Sequence, residues 1–533
     1  MIDRVIVRGY RIFRDFEFEP NAGTNIIVGD NESGKSTLLE AIALALTGRV
    51  GGRWAQDELN PYWFNQQDVA AYFDSLATDK PIAPPEILIE LYLTDKDDDL
   101  QPMLGAYNSR QEKVPGVRMH IAPNPDYAQE FSDYMSSEDR PSILPTEWYA
   151  VDWREFSDER LTRRPKRLGV SIIDSRTIRS TAGVDYHTRE MLTEFIEPKE
   201  RAEVAVAHRK ARHTISTGTL APVNQRIAEE SKSLHDSAIG LHMDQSSNAS
   251  WENSIVPQVA DIPFAMAGQG QQAAIKVALA MSRSADTTAY ALIEEPENHL
   301  SHTGLTKLVA RIEALAGTRQ IFLTTHSSFV LNRLGLDKLV LLNNGTKATF
   351  GSLPPDTIAY FKRLSGYDTM RLVLASRVVL VEGPSDEMIF ERAFRDAHDG
   401  STPMQKGVDV VSMAGVSLKR GLQLSAALDR QAAAIRDNDG KEPSHWRDPL
   451  TDWLKSGVRE VFIGDPADGW TLEPQFAKVN DDATVRQLFG IPDGEDTVEW
   501  MSSHKTDWAL KLDESKTPVT FPMYVTDAVA FVS

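Results

Sequence analysis

A phosphate-binding motif near the start of the chain is the feature that most restricts its fold. Residues 29–36 read Gly-Asp-Asn-Glu-Ser-Gly-Lys-Ser and match the pattern G-x-x-x-x-G-K-S. The apolar run at 26–28 precedes the motif, and residues 37–46 carry apolar side chains at helical spacing. A strand, a glycine-rich turn and a helix in this order form the usual context of a phosphate site. The sequence therefore predicts an α/β nucleotide-binding domain.

The residues of this loop have separate expected roles. The glycines let backbone N–H groups close around phosphate oxygens, and the N-terminus of the following helix adds positive potential. Lys35 is expected to neutralise the β- and γ-phosphates, and Ser36 to ligate Mg²⁺. The predicted nucleotide contacts in the loop are Gly29, Asn31, Gly34, Lys35, Ser36 and Thr37.

Two later strand ends offer the groups that complete such a site. One apolar strand pattern ends at Glu294 and Glu295, and the next predicted strand, 320–324, ends just before His326. We expect Glu294 to reach the Mg²⁺ through water and Glu295 to orient the attacking water. His326 is then a candidate sensor of the γ-phosphate.

Composition limits the remaining classes of protein. The chain has 533 residues, with 57 Lys and Arg against 77 Asp and Glu, a net charge of −20. That balance argues against a general nucleic-acid coat, but it permits a local basic groove or carboxylates gathered around cations. No run of about 18 apolar residues predicts a membrane span, and Met1–Val7 resembles a strand rather than a signal peptide, so we expect a cytoplasmic protein. The absence of cysteine excludes disulfides, thiolate zinc sites and thiol nucleophiles.

The patterns divide the chain into two predicted domains. Residues 1–350 form the nucleotide-binding domain, with a polar helical insertion or dimerisation arm at about 186–250. Alternating helix and strand patterns after residue 270 predict a parallel sheet. We expect a linker at 351–371 and a second α/β domain at 372–533, where a similar alternation begins.

Carboxylates gather at the strand ends of the second domain. Glu382 follows the apolar run 377–381, Asp386 lies in the first turn of the next helix, and Asp437 and Asp439 follow another apolar run. Because parallel strands end at one edge of a sheet, these side chains are expected to lie together. Close carboxylates repel unless cations lie between them, and Mg²⁺ or Mn²⁺ prefers oxygen ligands. Two such ions about 4 Å apart can hold both reacting oxygens of a phosphodiester, so the pattern predicts metal-dependent phosphodiester hydrolysis.

The first domain resembles the ATP-binding-cassette-like heads of the RecF and structural-maintenance-of-chromosomes group. The likeness lies in the loop at 29–36 and in residues 5–20, which are similar to that group's N-terminal β-hairpin. In such heads a glycine-rich signature of a partner subunit caps the nucleotide. Residues 267–271, Ala-Gly-Gln-Gly-Gln, resemble that signature. The resemblance implies nucleotide contacts from Gly268 and Gly270, and association of two heads.

Two positions depart from the pattern of these heads. Ala267 stands where a serine usually contacts the γ-phosphate, and Glu294 stands where aspartate is usual. The resemblance therefore implies nucleotide binding more strongly than rapid hydrolysis.

The second domain resembles a Toprim domain, the fold shared by topoisomerases, primases and some nucleases. An ATPase head followed by Toprim resembles the overcoming-lysogenization-defect (OLD) nuclease family, which includes the nuclease subunit of the Gabija anti-phage system. The metal ligands implied by this resemblance are Glu382, Asp386, Asp437, Asp439 and Glu473. It also implies that Lys505 stabilises the scissile phosphate or the leaving group.

Several functions agree with these patterns. The main hypothesis is an ATP-regulated, metal-dependent DNA endonuclease that nicks or cleaves both strands in anti-phage defence or DNA processing. The alternatives are a non-nucleolytic ATP-dependent DNA-repair clamp and a Toprim RNase that cleaves, for example, tRNA. Basic clusters at 163–167 and 208–213 are either DNA contacts or solvated charge runs. A helicase-like partner, assembly beyond a dimer, and the sign of the ATP effect are left open.

Overall fold

The structure is a computed structural model. It describes residues 1–94, 98–137, 139–165, 168–174, 196–231, 239–244, 251–255, 258–259, 261–268, 270–272, 275, 289–298, 300–315, 319–343, 345–349, 353–363, 368–413 and 418–533.

The N-terminal part alternates short strands with helices. Its strands are β1 (Ile2–Tyr10), β2 (Phe13–Phe18), β3 (Thr24–Val28), β4 (Arg49–Val50), β5 (Arg53–Trp54), β6 (Ile87–Leu93), β7 (Leu104–Gly105), β8 (Val114–Pro123), β9 (Tyr149–Glu155), β10 (Val170–Asp174), β11 (Gln258–Val259), β12 (Ile262–Pro263), β13 (Tyr290–Glu294), β14 (Gln320–Thr324), β15 (Leu339–Asn343) and β16 (Thr346–Thr349). Its helices are α1 (Lys35–Thr47), α2 (Gln66–Ser75), α3 (Ala128–Met135), α4 (Pro198–Thr214), α5 (Ala221–Ser231), α6 (His302–Leu315) and α7 (Ser328–Leu334).

Two larger sheets are built from these strands. The first has the order β2-β1-β6-β8-β7, with β9 also paired to β8. The second has the order β10-β13-β14-β3-β15-β16. In it β10 runs parallel to β13 and β3 runs parallel to β15. Every residue of β3 and β14 is buried, as expected for strands of a parallel sheet that is covered on both faces.

The C-terminal part forms a separate parallel sheet. Its strands are β17 (Arg377–Val381), β18 (Val408–Ser412), β19 (Gln431–Arg436) and β20 (Arg459–Ile463), in the order β18-β17-β19-β20. All three pairs are parallel, so the carboxyl ends of the four strands share one edge. The helices are α8 (Pro355–Arg363), α9 (Asp368–Leu374), α10 (Pro384–Ala397), α11 (Leu418–Ala427), α12 (Pro443–Arg447), α13 (Leu472–Val479), α14 (Asp482–Phe489), α15 (Thr497–Ser503), α16 (Lys505–Glu514) and α17 (Met523–Val532).

A large apolar cluster supports this sheet. It joins residues of β17, β18 and β19 to α10, α13, α16 and α17. Trp508 of α16 is 1% exposed, and its ring lies 5.4 Å from the rings of both Phe476 and Phe489. Large aromatic side chains bury much apolar surface, which makes such a cluster rigid. The helices that carry the candidate catalytic residues are therefore anchored on a packed core.

The segment expected to be a linker is largely helical. Helices α8 and α9 lie within 351–371 or extend just past it. Arg371 of α9 donates a hydrogen bond to the carbonyl of Val410 at 2.6 Å. It also lies 3.7 Å from Glu387 and 3.6 Å from Asp409. These contacts attach α9 to β18 and α10, and the domain boundary stays a prediction.

The polar insertion predicted at about 186–250 contains α4 and α5. Its residues 186–195, 232–238 and 245–250 lie outside the described part of the chain. On α4, His208–His213 forms the second basic cluster, which is mostly exposed, and Arg212 donates to the carbonyl of Asp244 at 2.7 Å. A role of this arm in dimerisation stays a prediction.

Contacts between residues group the chain into two compact units. One contains Met1, Leu39–Trp63 and Ile89–Ile321, and the other contains Ile2–Leu38, Phe64–Leu88 and Phe322–Ser533. The phosphate loop and the C-terminal sheet both belong to the second unit. Within the described residues, no helix is both long and apolar enough to cross a membrane.

Candidate functional site

The phosphate loop connects buried strand β3 to helix α1. Gly34 has φ +104°, and a Cβ there would come within 2.9 Å of the Phe13 ring, so this position requires glycine. Lys35 is 6% exposed, and its Nζ donates to the carbonyl oxygens of Gly29 and Asp30, each at 2.8 Å. The backbone of the loop therefore surrounds the Lys35 ammonium group.

Helix α1 begins directly after this loop. The Leu38 N–H donates to the Gly34 carbonyl at 2.9 Å, which closes the first turn. Ser36 and Thr37 are half-buried in that turn, and Asn31 is exposed. This loop combines a lysine, a helix N-terminus and glycine positions that leave no room for a Cβ. These features together fit a nucleoside triphosphate.

The end of β13 carries the two glutamates expected to serve the nucleotide. Glu294 is its last residue and is half-buried. Glu295 has φ +42°, a conformation that is uncommon for residues other than glycine. The Asn298 amide donates to Glu295 Oε2 at 2.9 Å and holds that carboxylate. On the next strand end, Thr325 is fully buried and His326 is exposed.

The glycine-rich signature forms a short loop before a helical turn. The Gln271 and Gln272 N–H groups donate to the Gly268 carbonyl at 2.9 and 3.0 Å, and the Gln272 side chain donates to the Ala267 carbonyl at 2.7 Å. The space around the Cα of Gly268 is open, and Gly270 opens the helical turn. Residues 269, 273–274 and 276–288 lie outside the described residues. Nucleotide contacts from the signature stay a prediction.

Four carboxylates converge at the carboxyl edge of the C-terminal sheet. Glu382 follows β17, Asp437 follows β19, and Asp386 and Glu473 lie in the first turns of α10 and α13. Burial raises the pKa of Glu382 to about 7, with the charge of Asp386 adding to the effect and that of Arg436 opposing it. Burial and then the charges of Asp386, Glu382 and Glu473 raise the pKa of Asp437 to about 8. These mutual effects show that the four groups share one site.

Two oxygens of this cluster are buried without a hydrogen-bond partner among the described residues. They are Asp437 Oδ1 and Glu473 Oε2, and Glu473 is only 3% exposed. In contrast, Asp386 Oδ2 accepts the Gly383 N–H at 2.9 Å. Buried carboxylate oxygens without partners are costly unless a cation satisfies them, and oxygen-only donors fit Mg²⁺ or Mn²⁺. No three Asp, Glu or His side chains in the described part of the chain are already arranged to hold an ion.

Two basic side chains neutralise part of this negative charge. Lys505 Nζ lies 3.1 Å from Glu473 Oε1, and Arg436 Nη2 lies 3.3 Å from Glu382 Oε1 and 3.2 Å from Asp439 Oδ2. Burial acts to lower the pKa of Lys505, but the negative charges of Glu473, Asp437 and Asp386 together outweigh it, and the pKa lies above its ordinary value. The structure thus brings the predicted Lys505 and Glu473 together.

Asp439 differs from the other predicted ligands. Its side chain is 49% exposed and pairs with Arg436, and its backbone has φ +52°. Asp439 therefore lies at the rim of the carboxylate cluster, whereas Asp437, two residues earlier, lies inside it. Two Asp residues in a D-x-D pattern need not place their carboxylates in the same site when a turn separates them.

Three residues at this site were not predicted from the sequence. Arg436 was overlooked although it directly precedes the predicted aspartates. Asn438 is fully buried, and its amide donates to the Gly469 carbonyl at 2.7 Å while its Oδ1 accepts the Gly440 N–H at 2.8 Å. An Asn before Asp-Gly is a local turn signal that identifies it. Burial, and then the charges of the four carboxylates, raise the pKa of Tyr524 well above its ordinary value, and no local pattern marks this residue.

Comparison with family models assigns the two parts of the chain. An AAA domain model matches residues 4–157, and a second AAA model, named for the AbiEii toxin of type IV toxin–antitoxin systems, matches residues 128–332. The TOPRIM model of proteins like the overcoming lysogenization defect protein matches residues 373–439. The chain carries an OLD-like TOPRIM domain behind AAA ATPase domains. This domain order matches an OLD-family ATPase plus Toprim nuclease, and nothing in these matches extends the likeness to Gabija.

Solved structures give a weaker comparison. An SMC head bound to the C-terminal winged-helix domain of ScpA is 14% identical, with 65% of this chain and 96% of that chain covered and a TM-score of 0.33. The SMC head of Thermotoga maritima is 12% identical, with 65% and 97% covered and a TM-score of 0.28. RecF with ATP is 11% identical, with 66% and 97% covered and a TM-score of 0.34. TM-scores this low do not establish a shared fold, so the α/β assignment rests on the family models and the sheet topology. No curated protein matches the chain in sequence.

Proposed function

We propose that this chain is an ATP-regulated, divalent-metal-dependent DNA endonuclease. The observation that carries the proposal is the carboxylate cluster of the OLD-like TOPRIM domain. In that cluster Asp437 and Glu473 each have a buried oxygen without a partner in the part of the chain that the structure describes, and Lys505 pairs with Glu473. A purely structural role would favour satisfied or apolar side chains at these positions. An anti-phage role is the biological setting that we infer from the OLD-like match.

The chain's own residues suit the hydrolysis of a phosphodiester. Glu382, Asp386, Asp437 and Glu473 would hold the divalent cations. When bound, these cations supply the positive charge that polarises a phosphodiester. Lys505 Nζ carries a further positive charge, which can offset the charge that develops on the leaving oxygen. The guanidinium of Arg436 fixes the Glu382 carboxylate at the cluster's edge, and the Gly383 N–H fixes that of Asp386.

The AAA part is proposed to control this site through its nucleotide state. Lys35 and its loop would bind ATP, Glu294 and Glu295 would serve Mg²⁺ and water, and His326 would sense the γ-phosphate. Gly268 and Gly270 would contact the nucleotide of a second head, so we propose a homodimer. DNA is the proposed substrate partner, and a helicase-like protein is a possible further one.

The test is cleavage of supercoiled plasmid in Mg²⁺ or Mn²⁺, each with and without ATP. We expect the wild type to nick or linearise the plasmid and Glu382→Ala to be inactive while it still binds ATP. Glu495→Ala removes an exposed carboxylate of the same domain and should match the wild type. The effect of ATP on the wild type gives the sign of its control.

Several outcomes would overturn the proposal. Cleavage retained by Glu382→Ala would remove the carboxylate cluster from the reaction. Cleavage of tRNA or other RNA without any cleavage of DNA would identify an RNase. Failure to cleave any nucleic acid under all these conditions, with ATP-dependent DNA binding intact, would identify the repair clamp.

A further inference from the structure

An exposed tryptophan lies at the mouth of the carboxylate cluster. Trp470 is 67% exposed and lies in the loop between β20 and α13, three residues before Glu473. Its carbonyl accepts the Asp439 N–H at 3.0 Å. The main chain of Trp470 is thus joined to the segment that carries Asp437, and the indole is close to two parts of the cluster.

The loop that presents this indole is held in place by buried amides. The fully buried Asn438 and the 2%-exposed Gln475 both donate to the Gly469 carbonyl, at 2.7 and 2.9 Å. Gly440 has φ +74°, and a Cβ there would lie 3.1 Å from the indole ring of Trp470. The indole therefore rests against the glycine backbone on one side, and most of its surface is open. A large aromatic group fixed in this way has no role in the core of the domain.

Basic side chains follow Gly440, the residue against which this indole packs, in a chain that is strongly acidic overall. Lys441 and His445 are both exposed, and Lys441 Nζ lies 3.3 Å from His445 Nε2. The guanidinium of Arg436 lies 3.4 Å from the centre of the Trp446 ring, and Lys441 Nζ lies 4.8 Å from it. The loop after β19 thus presents basic side chains directly next to Gly440. Exposed basic groups near an aromatic platform suit the alternation of phosphate and base along a nucleic-acid strand.

We propose that Trp470 stacks on an unpaired nucleobase next to the phosphate held at the carboxylate cluster, while Lys441 and His445 contact the flanking phosphates. Bases inside a duplex already stack on one another, so the indole can meet only a base of a single strand or of a locally opened duplex. Stacking tolerates any base, and this platform therefore selects for strand state rather than for sequence. The inference rests on the proposed nuclease function and adds the form of its substrate.

The test measures binding and needs no cleavage. Fluorescence anisotropy with short labelled oligonucleotides compares single-stranded DNA, single-stranded RNA and duplex DNA in the full chain carrying Glu382→Gln. Removing the ring with Trp470→Ala or Trp470→Gln should weaken single-strand binding about tenfold or more, and Trp470→Phe should retain most of it. Duplex binding should change less than about twofold. The relative loss for DNA and RNA strands identifies which sugar the site accepts.

Met404→Ala is the matched control for this experiment. Met404 is also 67% exposed in the same domain, but it precedes β18 and so lies at the opposite edge of the parallel sheet. Equal single-strand affinities for the Trp470→Ala and Met404→Ala variants would overturn the inference, and so would absence of single-strand binding by the parent chain. Single-strand binding that depends on Trp470, without cleavage under any condition, would refute the proposed nuclease and leave Trp470 as a single-strand binding residue. Cleavage by Trp470→Ala with an unchanged KM would support the nuclease and overturn the stacking role of Trp470.

Discussion

The carboxylate cluster should destabilise the C-terminal domain whenever no cation is bound, and Asp437→Asn should relieve this. Burial, and then the charges of Asp386, Glu382 and Glu473, raise the pKa of Asp437 from 3.8 to about 8. When folding raises the pKa of an acid, that acid lowers the free energy of unfolding at every pH above its unfolded-state pKa. Asparagine has almost the same shape and carries no charge, so the substitution removes this penalty.

The direction of the pH dependence follows from the two pKa values. Below about pH 4 the Asp437 carboxyl is neutral in both states, and the substitution should have no effect. Between about pH 4 and pH 8 the unfolded chain has released the proton that the folded chain retains, so the benefit of asparagine grows with pH. Above about pH 8 both states are ionised and the benefit is constant.

The size of the effect has an upper limit set by the pKa shift. A rise of about four units corresponds to about 5.5 kcal/mol at about 1.4 kcal/mol per unit. The expected gain is smaller, about 2 kcal/mol, because the asparagine amide is also buried without hydrogen-bond partners and so keeps part of the desolvation cost. For a domain of this size, that gain corresponds to a rise in melting temperature of about 4–8 °C.

The assay is thermal unfolding in EDTA at about pH 6 and about pH 8.5, with the Tm of each transition recorded because the chain has more than one domain. We expect the larger rise for Asp437→Asn at the higher pH. Asp439→Asn is the control, since Asp439 is half-exposed and pairs with Arg436, and it should give no rise. Adding Mg²⁺ should stabilise the wild type more than Asp437→Asn. An unchanged or lower Tm for Asp437→Asn at the higher pH, or an equal rise for Asp439→Asn, would refute the reasoning.

Three further predictions concern the loop lysine, the active-site lysine and the buried amide. Lys35→Ala should abolish ATP binding in isothermal titration because the loop loses its only neutralising ammonium among the described residues 29–36; unchanged affinity would contradict the phosphate site. Lys505→Met should lower plasmid cleavage by about a hundredfold at saturating Mg²⁺ with ATP affinity unchanged, and wild-type cleavage would exclude a role for this charge. Asn438→Ala removes hydrogen bonds to Gly469 and Gly440 and should lower the Tm by about 4–8 °C in the same unfolding assay. An unaltered Tm would mean that these bonds do not anchor the loop.

The short-range features of this fold were predictable from the sequence. The predicted strand at 320–324 and the apolar run at 377–381 match β14 and β17 residue for residue. The turn and helix that follow β3 also form as expected, with α1 spanning Lys35–Thr47. Each of these patterns lies within about ten neighbouring residues, so burial and turn chemistry are readable locally.

The helices at 351–371 were not predicted, because their stability depends on contacts with residues far away in the sequence. A segment between two regular series of strand and helix patterns resembles a linker, and its helices are held by contacts with distant residues. Arg371 bonds to the carbonyl of Val410, and the Arg420 Nη1 donates to Thr357 Oγ1 at 2.6 Å. Tertiary contacts of this kind override weak local patterns.

By itself, the sequence determined that a phosphate loop follows a buried strand and that carboxylates follow parallel strands of a second sheet. Chain direction alone then requires those carboxylates to share one edge. Only the tertiary structure decided that Asp437 faces inward while Asp439 pairs with Arg436, and that Lys505 lies on Glu473. The physical reason is that burial and ion pairing depend on which distant segments meet, and these set the pKa of each carboxylate. No local pattern contains that information.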